Sequence, residues 1–240
     1  LKIGTYGFLR FNIAMLPEAS RVLMPYLLWL SVAGILYGAL VALAQRDMKR
    51  LIAYSSVSHL GFCMLGLFAL NQLGVSGGAL QMVNHGISTG GLFALVGMLY
   101  ERYHTREIAS LGGLSRRLPW LAFFMIVFTM SSIGLPGLNG FAGEFLLLTG
   151  MFQRAWLTGA EQHGGQLLVI AVLAVLGVVL GAWYMLYLVQ RVFFGPLREP
   201  HAHGEGDHGH AAETPDLSLR EILALAPLAV AAVWIGLWPD

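Results

Sequence analysis

Charge is what this chain has least of: only 11% of its 240 residues are Asp, Glu, Lys or Arg, against about 25% in soluble domains, while 57% are apolar. Mean hydropathy is +0.69. A water-soluble globular fold is excluded on that balance. Cysteine is nearly absent too. Cys63 stands alone in an apolar run, so an internal disulfide and a multi-thiolate metal site are ruled out and the thiol reads as packing. The net charge of +1 gives no basic face, so a nucleic acid partner is not expected. There is no nucleotide-binding glycine loop, no CxxC pair and no haem or iron–sulfur ligand set, so this chain is expected to bind no cofactor and to perform no redox step itself. It opens at Leu1 inside an apolar segment, without a methionine and without the basic n-region of a signal peptide. The expectation is a piece of a longer chain.

What is present is a series of apolar runs long enough to span a bilayer, which takes about 20 helical residues. Reading between charges, Pro and Gly predicts spans near 1–16, incomplete, and near 25–45, 51–70, 77–100, 119–152, 166–193 and 220–238. Pro25 and Pro119 are taken as helix starts, and the glycines from Gly74 to Gly78 as a connection. The segment 119–152 is too long for one straight crossing and carries Gly134-Leu135-Pro136-Gly137-Leu138-Asn139-Gly140 in its middle. Proline removes a helix hydrogen bond and glycine loosens the backbone. Two half-helices with an unwound joint at Gly134, Pro136 and Gly137 are expected, rather than a simple kink. The fold class is thus all-α, a polytopic transmembrane helical bundle of about seven spans, the first truncated and one broken. Residues 1–240 form a single membrane domain.

Cations in short loops set orientation. Arg46, Lys49, Arg50, Arg102, Arg106, Arg116, Arg117, Arg191, Arg198 and Arg220 fall on one side, against Arg10, Arg21 and Arg154 on the other. The loops after 45, 100 and 193 are therefore expected to be cytoplasmic and the C-terminus outside. The segments Arg46–Arg50 and Tyr100–Glu107 read as interfacial anchors.

Four ionisable residues stand inside the apolar runs, where each costs about 2.5–3.5 kcal/mol at the bilayer centre. Lys2 shares a helix face with Thr5 and Tyr6. His59 lies about 13 Å beyond Arg50 along its helix, with Ser55 and Ser56 on its face. His85 lies about 12 Å beyond Gly77, with Ser88 and Thr89 at the same offsets. Glu144 follows the broken segment, beside Gly140 and Gly143, which leave room for water or another backbone. One such group alone reads as packing, a snorkelling lysine or a structural ion pair. Four of them, three with hydroxyl neighbours, read more economically as a proton relay, because histidine titrates near neutrality and desolvation disfavours the charged form of any buried group. The His- and Gly-rich loop at about 196–218, with His201, His203, Glu205, Asp207, His208 and His210, contains metal-ligand types, but its glycines leave them unorganised. No metal site is expected there.

The run Asp47-Met48-Lys49-Arg50-Leu51-Ile52-Ala53-Tyr54-Ser55-Ser56-Val57-Ser58-His59-Leu60-Gly61 resembles the signature of the antiporter-like proton-translocating subunits of respiratory NADH:quinone oxidoreductase, or complex I. The later runs Tyr100–Glu107, Gly112-Gly113-Leu114, Gly134-Leu135-Pro136 and Gly143-Glu144-Phe145 resemble the type called subunit M in bacteria and subunit 4 in mitochondria. The resemblance implies a fourteen-helix fold of two inverted five-helix repeats, entered here in the eighth helix. By the same resemblance Lys2 is the lysine connecting two half-channels, His59 and His85 are central relay histidines, and Glu144 is the terminal carboxylate in the second broken helix. The inward-side glutamate and its partner lysine would lie upstream of Leu1, so this piece alone should not pump. Asn84 stands where that resemblance leads us to expect a small residue. NADH, FMN, iron–sulfur clusters and quinone are implied for other subunits, the adjacent antiporter-like subunits are the implied partners, and a bacterial inner membrane is the implied location. The alternatives with the same fold are a subunit of a multisubunit cation/proton antiporter and one of a membrane-bound hydrogenase. A structural membrane scaffold without transport would make the buried ionisable groups dispensable.

Overall fold

The computed structural model describes residues 2–158, 164–200 and 215–238. Its elements are α1 (Lys2–Gly7), continued by a π-helical turn at Phe8–Ile13, then α2 (Pro17–Leu43), α3 (Met48–Phe68), α4 (Gln72–Tyr103), α5 (Pro119–Ser132), α6 (Asn139–Thr158), α7 (Gly164–Phe193) and α8 (Leu219–Leu237). Helices α2, α3, α4, α7 and α8 are long and apolar enough to cross a membrane. At 14 residues, α5 reaches only about 21 Å, short of a hydrocarbon core about 30 Å thick. It and α6 are the two halves of the expected broken span. The His-rich segment from His201 to His210 lies outside the described residues.

Local chemistry explains most of the boundaries. Asp47 caps α3 by accepting from the Arg50 amide at 2.9 Å, and Asn71 caps α4 by accepting from the Gly74 amide at 2.8 Å. Both satisfy amide groups that a helix start leaves without a carbonyl. Ser218 and Glu221 form a capping box on α8. The start of α5 borrows its cap from elsewhere in the chain: the Asp216 carboxylate accepts from the Trp120 and Leu121 amides at 2.7 and 3.2 Å.

Two expected boundaries are corrected. Helix α2 starts at Pro17, not Pro25, which lies inside it. Pro17 fills the first turn, where a missing amide costs nothing, and the Ser20 hydroxyl donates to the Asn12 carbonyl at 3.1 Å, tying this start to the turn before it. The stretch Gly74–Gly78 is not a connection but part of the first two turns of α4. A Cβ at Gly74 would stand 2.7 Å from the Gly66 carbonyl oxygen, one at Gly78 2.9 Å from the Cys63 carbonyl oxygen, and one at Gly77 would collide with the Leu147 amide. These glycines are packing surface. Small residues let membrane helices approach backbone to backbone, and here they seat α4 against α3 and α6.

Two apolar clusters form the interior. One gathers the first turns of α3, the last third of α4, α5 and the end of α7. The other gathers α2, the end of α3, the middle of α6 and the start of α7. Along α3, Ile52 belongs to the first and Phe62 to the second, and between them come Ser55, Ser56, Ser58 and His59, all buried. A polar layer therefore separates the two apolar halves.

The connections carrying most of the arginines meet at one end of the bundle. The Met48 amide donates to the Arg106 carbonyl, the Ile108 amide to the Arg46 carbonyl, and Gly112 and Arg198 exchange two backbone hydrogen bonds. Arg102 holds this end together. Its guanidinium makes two 2.8 Å bonds to the Glu221 carboxylate and donates to the carbonyls of Pro215, Asp216 and Met98 at 2.9, 3.1 and 2.9 Å. It thus binds α4 to α8 and holds Asp216 where it caps α5. Replacing Arg102 by Met in the full-length chain is expected to destabilise it by about 3 kcal/mol, because Glu221 loses its counter-charge in a largely desolvated place. Lysine should restore little of this, lacking the planar fork; thermal unfolding in mild detergent measures both, and a full rescue by lysine would count against the bidentate role.

Candidate functional site

Four helices deliver polar groups to the layer between the clusters. His59 comes from α3, His85 from α4, Glu144 from α6, and Ser132 from the last residue of α5. The His59 and His85 rings lie 5.0 Å apart, centroid to centroid, in an edge-on arrangement. The His59 Nδ1 atom stands 3.5 Å from the Glu144 Oε1 atom, with both side chains about 7% exposed. The other ring nitrogen, Nε2, is 3.3 Å from the Ser132 hydroxyl. Gln81, one turn before His85 on α4, donates its amide to Glu144 Oε1 at 3.1 Å. The Thr89 hydroxyl lies 3.2 and 3.3 Å from the two ring nitrogens of His85.

The break beside this cluster carries its own polar support. Helix α5 ends at Ser132, the chain turns through Gly134 and Gly137 at φ +75° and +92°, and α6 begins at Asn139. Positive φ is the region where glycine alone has no steric penalty. The fully buried Asn139 side chain accepts from the Ser131 hydroxyl and from the Gly140 amide. Asn84 on α4 donates to the Asn139 carbonyl at 2.7 Å and receives the Asn139 amide in return at 3.3 Å. The Ser88 hydroxyl stands 2.6 Å from that of Ser131. Backbone groups that would be orphaned in lipid are thereby paired inside the protein. Gly143 packs against α4 at this level, because a Cβ there would collide with the Gln81 side-chain oxygen.

Lys2 approaches from α1. Its Nζ atom lies 3.9 Å from where Gly86 would carry a Cβ, one residue after His85. His85, His59 and Glu144 follow one another in space, and Lys2 stands beside α4 at Gly86. Of the hydroxyls grouped with these residues by helical spacing, Thr89 reaches its histidine. Thr5 donates instead to the Lys2 carbonyl at 2.9 Å, and Ser55 and Ser56 to the Ile52 carbonyl at 2.8 and 3.1 Å. Ser88 faces Ser131. Tyr6 is exposed. A cavity of about 10 Å³ lies among His59, Gln81, Asn84, His85, Ser131 and Ser132, close to the least space one water occupies.

Residues 1–177 match the family described as NADH:quinone oxidoreductase/Mrp antiporter, TM. The chain belongs to that family. It is 43% identical over 240 residues to NADH-quinone oxidoreductase subunit M of Rickettsia bellii, covering all of this chain and 44% of that one. It spans under half the length of the curated relatives it matches. Among solved structures, a chain of respiratory complex I from Thermus thermophilus superposes with a TM-score of 0.81 at 36% identity, covering 100% of this chain and 46% of that one. A chain of the Mrp complex from Dietzia superposes at 0.79 and 23% identity, over 98% of this chain and 48% of that one, which shows a shared fold.

Within this family member, sequence spacing found the four ionisable residues but missed Gln81, Ser131, Ser132 and Asn139. Gln81 precedes His85 by one helical turn and could have been read on its face. Ser132 and Asn139 flank the break, and only the turn between them brings them to the other helices. Gly134 yields a test of this geometry. A Cβ there would stand 2.9 Å from a Glu144 carboxylate oxygen, whereas one at Gly137, also at positive φ, would meet nothing within 4 Å. Both alanine variants of the full-length chain should lose about 1–2 kcal/mol of stability to backbone strain. Only Gly134→Ala should shift the Glu144 carboxyl band in infrared difference spectra against Glu144→Gln; identical spectra from the two variants would contradict the contact.

Proposed function

We propose that this chain is part of a proton-translocating membrane subunit of respiratory NADH:quinone oxidoreductase, with protons passing along Lys2, His85, His59 and Glu144. The observation that carries the reading is the buried line itself: three titratable side chains from three helices in sequential contact, beside a broken helix, with a lysine at one end. Burying these groups without a transport role would add desolvation penalties with no compensating gain.

The chemistry follows from the distances. The His59 Nδ1 atom stands 3.5 Å from Glu144 Oε1, where a small closing motion would make a path for a proton, while the Gln81 amide holds the carboxylate in place and Ser132 offers a hydroxyl to Nε2. Two imidazolium rings 5.0 Å apart in a buried layer repel each other, so a charge on one histidine opposes a charge on the other. Protons therefore move along the line singly. A cation at Lys2 repels a proton on His85 and favours its passage toward His59 and the Glu144 carboxyl group. Thr89 serves His85 as a donor or acceptor in either tautomer.

The redox groups, namely NADH, FMN, iron–sulfur clusters and quinone, belong in this reading to other subunits, and adjacent antiporter-like membrane subunits are the partners. The arginine-rich end faces the cytoplasm of a bacterial inner membrane by the positive-inside rule, which puts the C-terminus outside. A cation/proton antiporter subunit is the second reading, supported by the fold shared with the Mrp chain. The first is favoured because 43% identity is to a relative named as an oxidoreductase subunit, against 23% for the Mrp chain.

The test places Glu144→Gln and His85→Ala separately in the full-length parent and follows NADH-driven acidification of inverted vesicles beside quinone reduction. Each variant is expected to cut acidification at least severalfold. Acidification unchanged in both would overturn the relay, and a parent that purifies without flavin or iron–sulfur subunits yet exchanges sodium for protons would favour the antiporter.

A further inference from the structure

We propose that the groove at the arginine-rich end of α7 binds the phosphodiester headgroup of an anionic phospholipid, whose acyl chains lie along the exposed face of that helix. The groove has a volume of about 560 Å³, within the range of small-ligand sites. Arg46, Arg191 and Arg198 line it, and all three are exposed. Three other arginines of this end are occupied: Arg102 by Glu221, Arg106 by Asp47 at 3.6 Å, and Arg117 by Glu199 at 3.7 Å. Among the described residues, Arg46, Arg191 and Arg198 have no such ion pair. Arg191 stacks its guanidinium over the Tyr187 ring at 5.3 Å, which orients the fork without neutralising it. Glu107 contributes one carboxylate to the wall, so the groove remains positive.

The walls are fixed by backbone. The Arg46 carbonyl accepts the Ile108 amide at 2.9 Å, and Arg198 is paired in both directions with Gly112 at 2.9 and 3.0 Å. Three separate connections are thereby stitched around one opening, and their guanidinium groups need only side-chain motion to close on an anion. Planar forks of this kind suit phosphate oxygens.

The outer face of α7 distinguishes a lipid from a free anion. Val172, Leu176, Val179, Trp183 and Leu186 recur every three or four residues and are all exposed. The same stripe continues to Gln190 and Phe194, which line the groove. From Val172 to Gln190 it runs about 27 Å, close to the hydrocarbon thickness. Trp183 and Tyr187 sit near its end, the depth where aromatic residues meet headgroups. A basic pocket continuous with an exposed apolar stripe fits an amphiphile carrying a phosphate.

The experiment uses the purified full-length chain in mild detergent and follows thermal unfolding while dioctanoyl phosphatidylglycerol, dioctanoyl phosphatidylcholine or inorganic phosphate is added. Phosphatidylglycerol is expected to raise Tm in a saturable manner, phosphatidylcholine and phosphate to do so far less. Replacing arginine by glutamine at 46, 191 and 198 should weaken apparent lipid affinity about fivefold per position, and R191K/R198K should keep more of it than R191Q/R198Q. Circular dichroism without lipid checks that each variant is folded, and native mass spectrometry of retained phosphatidylglycerol reads the same site if a Tm proves uninformative. Equal protection by inorganic phosphate, equal protection by phosphatidylcholine, or undiminished lipid binding and retention in the folded triple variant would each overturn the proposal.

Discussion

The interruption between Ser132 and Asn139 is the constraint from which the interior follows. Unwinding a helix in lipid frees amide and carbonyl groups that no water can satisfy. Here they are met by Asn139, which bonds its own neighbour and Ser131, and by Asn84, which exchanges two hydrogen bonds with Asn139. That requirement draws α4 onto the start of α6. With the two helices in register there, Gln81 reaches Glu144, and His85 comes beside His59. The arrangement that stabilises the break and the arrangement that lines up the titratable groups are one arrangement.

Close approach makes this possible, and it depends on what is missing from side chains. Gly74, Gly77 and Gly78 of α4 and Gly150 of α6 bring backbones into contact where any larger residue would hold the helices apart. The apolar clusters on either side supply most of the packing, and the polar layer between them is thin. At the arginine-rich end the logic is different. There the helices are tied by charge and by caps supplied across the chain, with Arg102 and Asp216 each serving more than one element.

Hydropathy made most of the architecture legible, because an apolar run bounded by charge can only be a span, and the Gly-Leu-Pro-Gly sequence can only weaken one. Lys2, His59, His85 and Glu144 were legible for the same reason: an ionisable residue in such a run is an anomaly. What spacing could not supply was partnership. Helical offsets put Ser55 and Ser56 on the face of His59, yet both hydroxyls return to the Ile52 carbonyl, a bond always within reach of a serine in a helix. The hydroxyl that does meet His59 comes from Ser132, on another helix. Glycine was ambiguous in the same way, since Gly74 to Gly78 reads as a turn by composition and as a packing seam only once α3 and α6 are in place. Proline misled at residue 25 because Pro17 had already set the start of the helix.

The small cavity among His59, Gln81, Asn84 and His85 bears on what the layer can hold. Its roughly 10 Å³ is near the least space one water needs. Around it stand two imidazole rings, the side-chain amides of Gln81 and Asn84 and the hydroxyls of Ser88, Ser131 and Ser132, groups that can each hold such a water by a hydrogen bond. In this conformation the layer holds space for a single small molecule, enclosed by groups that both donate and accept hydrogen bonds.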